Sequence, residues 1–165
     1  CLLNEERLYQ IYDKCQTLGL SMILQTSGGL GGQYVDYANP KYVEQIAEDF
    51  PRLRIICGHG CYPYVREAIV VASRRDNVWL SPDGYFFHMG HEDWVKAINY
   101  NLMNFSERFL FGSAYPLTGI ALFVENFLKV SWREEVLEKI MWRNALTALG
   151  LENDPVFRSM YGLDQ

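Results

Sequence analysis

Four short apolar runs constrain this chain more than any other feature: Leu20 to Leu24, Leu53 to Cys57, Val78 to Leu80 and Phe109 to Phe111. Each gives way at once to residues that end a strand. The first runs into Gln25-Thr26-Ser27 and glycines, the second into Gly58-His59-Gly60. The third meets Ser81-Pro82-Asp83-Gly84, and the fourth Gly112-Ser113-Ala114-Tyr115-Pro116. Short, largely apolar runs bounded in this way read as buried strands. Helical patterns separate them. Asn4 to Leu18 repeats Leu8, Ile11, Tyr12, Cys15 and Leu18 at helical spacing, with Asn4 as the expected N-cap and Gly19 as the stop. Lys41 to Asp49 follows Pro40 and is stopped by Pro51. Pro63 opens a helix through Ser73, and another covers Glu92 to Leu102. Ile120 to Lys129 and Arg133 to Leu149 close the chain, the last capped by Ser131 and stopped by Gly150. Strands alternating with helices predict right-handed crossovers and a parallel sheet covered by helices. Four such strands suit a small open sheet or half of an eight-stranded barrel equally well.

The bulk properties limit the function classes. A chain of 165 residues, 49% hydrophobic, is one globular domain with a proper core. Residues 1–151 are expected to form the barrel-like part and 152–165 a tail. Eleven tyrosines and four tryptophans suggest a large core or an adhesive interface. A net charge of −5 and the lack of a basic stripe argue against a nucleic-acid partner. No apolar run is long enough to span a membrane, and no signal peptide is visible. The chain opens at Cys1 without a methionine, as a portion of a longer product would. Cys1, Cys15, Cys57 and Cys61 lack zinc-knuckle spacing and read as reduced packing residues in a cytoplasmic protein.

Candidate chemistry gathers at the strand ends, where α/β proteins place it. His59, between glycines, is a ligand or substrate contact, or else a histidine bonded to a loop carbonyl. Asp83 is a substitute carboxylate or the residue that holds its own turn. His88 and His91, three apart, are a metal pair or a solvated loop. Gly28 to Gly32 could cradle an anion but matches neither a dinucleotide fingerprint nor a P-loop, so a rim loop is expected. Cys57 and Cys61 have no acidic neighbour in sequence and are assigned to packing. Ser113 lacks the nucleophile-elbow pattern.

Several of these stretches together resemble a known family. Arg54-Ile-Ile-Cys-Gly-His-Gly60, Tyr62-Pro63, Asn77-Val-Trp-Leu80, Arg108-Phe-Leu-Phe-Gly-Ser-Ala-Tyr-Pro116 and the closing Asn144-Ala145 with Leu149-Gly150-Leu151 are similar to the second half of an amidohydrolase-related metal-dependent hydrolase. That branch includes decarboxylases. The resemblance implies strands five to eight of a (β/α)8 barrel. It also implies a divalent metal, zinc foremost, held by two strand-one histidines, a histidine ending strand five, one ending strand six and an aspartate ending strand eight. Strand one has no counterpart here. Gln25 stands at the strand-five position, His59 at the strand-six position, and Ala114 where the aspartate is expected. A catalytic zinc needs about three protein ligands and an open position, so this chain's share of the site is depleted.

The resulting expectation is a hydrolase or decarboxylase of a small carboxylated or lactone-like substrate, with His59 as the retained ligand and Asp83, Tyr62 and Tyr115 as substrate contacts. The alternative is a non-catalytic binding or scaffolding relative. A four-strand half leaves sheet edges unpaired, so a homo-oligomer or a complementary N-terminal half is expected to cover them.

Overall fold

The computed structural model describes residues 1–29 and 34–163. Three parallel strands form one sheet in the order β1 (Ser21–Gln25), β2 (Arg54–Gly58), β3 (Val78–Ser81). The register pairs Ile23 with Ile56 and Ile56 with Trp79, so the strands end level with one another. Helices intervene as expected at α1 (Glu6–Thr17), α2 (Pro40–Asp49), α3 (Val65–Arg74), α5 (Glu92–Asn99) and α6 (Ile120–Leu128), and a short further helix, α4 (Tyr85–His88), lies between α3 and α5.

Local chemistry explains the boundaries. Asn39 caps α2, its side chain accepting from the Lys41 N–H at 3.1 Å, and Pro40 occupies the first turn, where its missing N–H costs nothing. Asn4 does not cap α1. Glu5 stands at that position without a side-chain cap, and the Asn4 amide instead donates to Gln45 at 2.8 Å. The loop expected around His88 contains the short α4. The single closing helix expected over Arg133–Leu149 is divided into α7 (Glu134–Glu138), a π turn (Lys139–Arg143) and α8 (Asn144–Leu149). Ser131 caps none of it, and Gly150 ends it with φ +71. Beyond it, within the tail, lies α9 (Pro155–Met160), capped by Asp154.

The fourth strand is the main correction. Phe109–Phe111 makes one isolated parallel bridge, Leu80 to Phe109, instead of a ladder. Its backbone groups are engaged elsewhere. Leu110 N–H donates to Leu80 O at 2.9 Å, but Phe111 N–H donates to Ile140 O in the π turn at 3.0 Å. The carbonyl of Phe109 accepts from the buried Asn144 amide at 2.8 Å, which also donates to Ser106 O at 2.7 Å. The segment is therefore held from both sides, by β3, where Leu80 N–H also donates to Arg108 O at 2.8 Å, and by the closing helix.

The core follows from strand alternation. Leu24, Ile55, Cys57, Val78 and Leu80 join one large cluster with Val43, Ile46, Ala68, Ile69, Ala72 and the aromatic group Phe86, Trp94, Phe105, Phe109 and Phe127. The opposite face of the sheet holds a smaller cluster, Ile56, Trp79 and Leu110 against Ala148 of α8. Ile23 on that face is 72% exposed. Tyr12 anchors α1. It is buried, donates to Leu3 O at 2.7 Å, and its hydroxyl is pushed up to about 12 by burial and by Tyr9. An unfolded tyrosine ionises near 10.0. The contribution of Tyr12 is thus whole below pH 10.0 and is lost as pH rises through about 12. Denaturant unfolding across that range should show a fall in stability that Tyr12→Phe removes.

Candidate functional site

β2 delivers the chain into the turn His59–Cys61, in which all three residues are left-handed, with φ 67, 60 and 59. Gly60 adopts this freely, and a Cβ there would meet the Trp94 ring at 3.1 Å. For His59 and Cys61 the conformation costs about 1–2 kcal/mol each. Hydrogen bonds offset it. His59 N–H donates to Asp83 Oδ2 at 3.1 Å, and Cys61 N–H donates to Thr26 Oγ1 at 3.0 Å. The Thr26 hydroxyl in turn donates to Gly58 O at 2.7 Å, and Gly28 N–H donates to Tyr62 O at 2.8 Å. Such bonds contribute about 0.5–1.5 kcal/mol each, more when the acceptor is charged, which is comparable to the strain. Thr26, 1% exposed, therefore ties the end of β1 to the turn that carries His59.

The ring of His59 is fixed by the same carboxylate. Its Nδ1 lies 2.9 Å from Asp83, with the two side chains 25% and 15% exposed. Against an ionised carboxylate Nδ1 carries the proton, which leaves Nε2 of the neutral ring as an acceptor. Tyr85 packs its ring 5.2 Å from His59 and 5.1 Å from Tyr62, with its hydroxyl 2.8 Å from Ser27 Oγ. A cavity of about 330 Å³ sits over these strand ends, lined by Gly29, His59, Asp83, Gly84, Tyr85, His88, Met89, Ala114, Leu117 and Thr118. Asp83 (φ 46) and Ala114 (φ 54) are left-handed as well. Aspartate tolerates that region and alanine does not, so Ala114 carries strain without a functional group to show for it. Gly112 brings the fourth segment in close, since a Cβ there would fall 2.9 Å from Ser81 Oγ.

His59, Asp83 and Ala114 thus meet at one cavity, as the strand-end argument requires. Gln25 ends β1 exposed and outside the cavity wall. Tyr62 stands behind Tyr85, and Tyr115 is 68% exposed; neither lines the cavity. His88 does line it. His91 instead stacks on Phe86 at 5.2 Å and lines a larger recess of about 830 Å³ beside Lys96 and Lys129, so the two histidines serve different surfaces. In the glycine-rich rim, residues 30–33 lie outside the described residues. Gly28 N–H is engaged by Tyr62 O, and Gly29 N–H donates to Ser27 Oγ at 3.0 Å. Thr26 and Tyr85 are the residues the sequence does not single out. Thr26 sits in a strand-end triplet whose bonding partners are 32 and 35 residues away, and Tyr85 follows an ordinary turn.

Cys57 and Cys61 are both fully buried. A hydrogen bond to Cys61, and then burial, push the Cys57 thiol well above its usual range, so packing is the role the geometry supports. Iodoacetamide at pH 8 should label Cys1 and Cys15 in the folded protein, and Cys57 and Cys61 only after denaturation. Mass mapping of the labelled peptides checks this.

Among the described residues no group of three or more His, Cys, Asp or Glu could hold a metal ion. Asp83 is engaged by His59, Ala114 offers no donor and Gln25 is outside the cavity, so the residues present do not fit a catalytic zinc.

Residues 2–151 match the family model described as amidohydrolase. An uncharacterised TIM-barrel protein from Bordetella bronchiseptica is 36% identical with a TM-score of 0.83, over 92% of this chain and 53% of that one. A dihydroxybenzoic acid decarboxylase from Polaromonas sp. JS666, solved with manganese and 2-nitroresorcinol, is 17% identical with a TM-score of 0.64, over 92% and 56% of the two chains. A 4-oxalomesaconate hydratase from Rhodopseudomonas palustris is 16% identical with a TM-score of 0.62, over 100% and 56%. No curated protein matches the chain. The chain spans little more than half the length of these structures, and its parallel strand–helix units form a partial (β/α)8 barrel.

Proposed function

The chain belongs to the amidohydrolase family, and from that premise we propose that it supplies the C-terminal part of an enzyme acting on a small carboxylated or lactone-like substrate. His59, oriented by Asp83, is the proton-handling group. The 2.9 Å contact between His59 Nδ1 and the Asp83 carboxylate carries the reading. It holds the ring in one tautomer at the wall of a cavity large enough for a small acid or lactone. A base held in this way is worth roughly 10²–10⁴-fold in rate. Tyr85 closes the side of the cavity and keeps the ring from turning.

Among the described residues of the cavity His59 is the one free donor of its kind beside His88, too few to hold a divalent metal by themselves, and the manganese of the Polaromonas enzyme belongs to that protein. Ala114 and Gln25 favour a second reading, a relative that binds the same ligands without turning them over. In either case the free edge of β1, which pairs only with β2 among the described residues, and the exposed Ile23 call for a covering segment. A complementary N-terminal half or a second copy would supply it.

The test is turnover and binding with 2,6-dihydroxybenzoate and γ-butyrolactone as probes, on wild type, His59→Gln and Asp83→Asn. Product from wild type, reduced about 10²–10⁴-fold in His59→Gln with binding retained, is the expected result. Saturable binding without product would select the second reading. Turnover that both variants leave unchanged would exclude the pair from the chemistry.

A further inference from the structure

The far end of the sheet, where the strands begin, gathers five of the chain's ten arginines: Arg52, Arg54, Arg74, Arg75 and Arg108. In sequence they are two close pairs and a single residue, none of which makes a basic stripe. In the fold the first four line a recess of about 500 Å³ with the carboxylates Glu48 and Asp76 and with Asn77 and Trp79. We propose that this recess is a binding site for a phosphoryl group, remote from the cavity that holds His59.

Two of its walls carry donors without acceptors. Among the described residues the buried indole N–H of Trp79, a residue 3% exposed, has no partner, and neither has Nε of Arg75. Buried N–H groups are rarely left unpaired, and an ion or water at the site is the usual reason. The acceptors already present are in use. Arg75 pairs with Glu48 and lies 3.4 Å from Glu44, while Asp76 is bonded by Arg108 at 2.9 Å. Asn77 Nδ2 reaches the carbonyls of Ala47, Phe50 and Leu53 at 3.0–3.2 Å, which occupies the end of α2. Charge remains over. Arg54 bonds only the Ser21 hydroxyl and the Gly19 carbonyl, and Arg74 is 3.9 Å from Glu44. Arg52 makes no side-chain bond among the described residues. A chain of net charge −5 that keeps spare guanidinium groups at one recess is suited to an anion. Guanidinium forks match phosphate oxygens two at a time, and a phosphoryl group has more oxygens to offer than a carboxylate. The competing account is that these arginines only neutralise the carbonyl ends of α2 and α3.

Titration with inorganic phosphate and, separately, glycerol 3-phosphate, at ionic strength held constant with chloride, decides between them. The reporter is the Trp79 indole cross-peak in a ¹H–¹⁵N spectrum. A saturable shift, weakened about tenfold in Arg52→Ala, is expected. The Arg52 side chain is exposed and makes no bond among the described residues, and its backbone bond to Gln16 survives in alanine, so the substitution leaves the fold in place. Tighter binding of glycerol 3-phosphate would identify an ester as the ligand, and tighter binding of phosphate the free ion. No saturable shift, or one that Arg52→Ala leaves unchanged, would overturn the proposal.

Discussion

The hydroxyl of Thr26 is the contact on which the strand-end site depends. It donates to Gly58 O and accepts from Cys61 N–H, and so bridges the ends of two neighbouring strands across a turn that the backbone would not adopt unaided. Without it, Cys61 N–H would lose its acceptor, and the two left-handed residues would be held by His59 N–H to Asp83 and by backbone bonds such as Gly28 N–H to Tyr62 O. With it, strain and hydrogen bonding are about equal, and the direction of His59 becomes a property of the sheet instead of a mobile loop. The same carboxylate then fixes the ring. The site thus follows from parallel pairing that brings Gly58 level with Gln25 on one side and with Ser81 on the other.

That sheet is incomplete. One face is filled by a continuous aromatic and aliphatic core, while among the described residues the other is covered where α8 lies against Ile56, Trp79 and Leu110. The relatives are nearly twice as long, and the fold they share is a closed barrel in which such an inner face meets side chains from opposite strands. The fastening of the fourth segment to the π turn and Asn144 shows how this half holds its shape with a single rung of pairing at that edge.

Much of this was legible in the sequence because it rests on local rules. Short apolar runs with helices between them are enough to read parallel strands, and the break at each run is enough to place His59, Asp83 and Ala114 at one end. The errors came from bonds between residues distant in sequence. Phe109–Phe111 has the composition of a strand, yet only Leu110 N–H goes to the sheet, while Phe111 N–H and Phe109 C=O go to residues about thirty positions on. Asn4 has the chemistry of a cap, but Gln45 takes its amide. Asp83 looked like a turn residue and is one, with Phe86 N–H on its carbonyl at 3.1 Å, while its carboxylate holds His59. Nothing local marks Thr26 or Tyr85. The gathering of arginines is equally invisible until β2 and β3 are set side by side.

The tautomer of the His59 ring shows whether Asp83 orients it. Long-range ¹H–¹⁵N spectra of the imidazoles at pH 8, with His59 assigned by its loss in His59→Gln, give the tautomer. A neutral His59 protonated on Nδ1 and free on Nε2, reverting to the mixed state of an exposed histidine in Asp83→Asn, is the predicted result. A ring protonated on Nε2, or one that Asp83→Asn does not alter, would contradict the claim that Asp83 orients His59 for proton transfer.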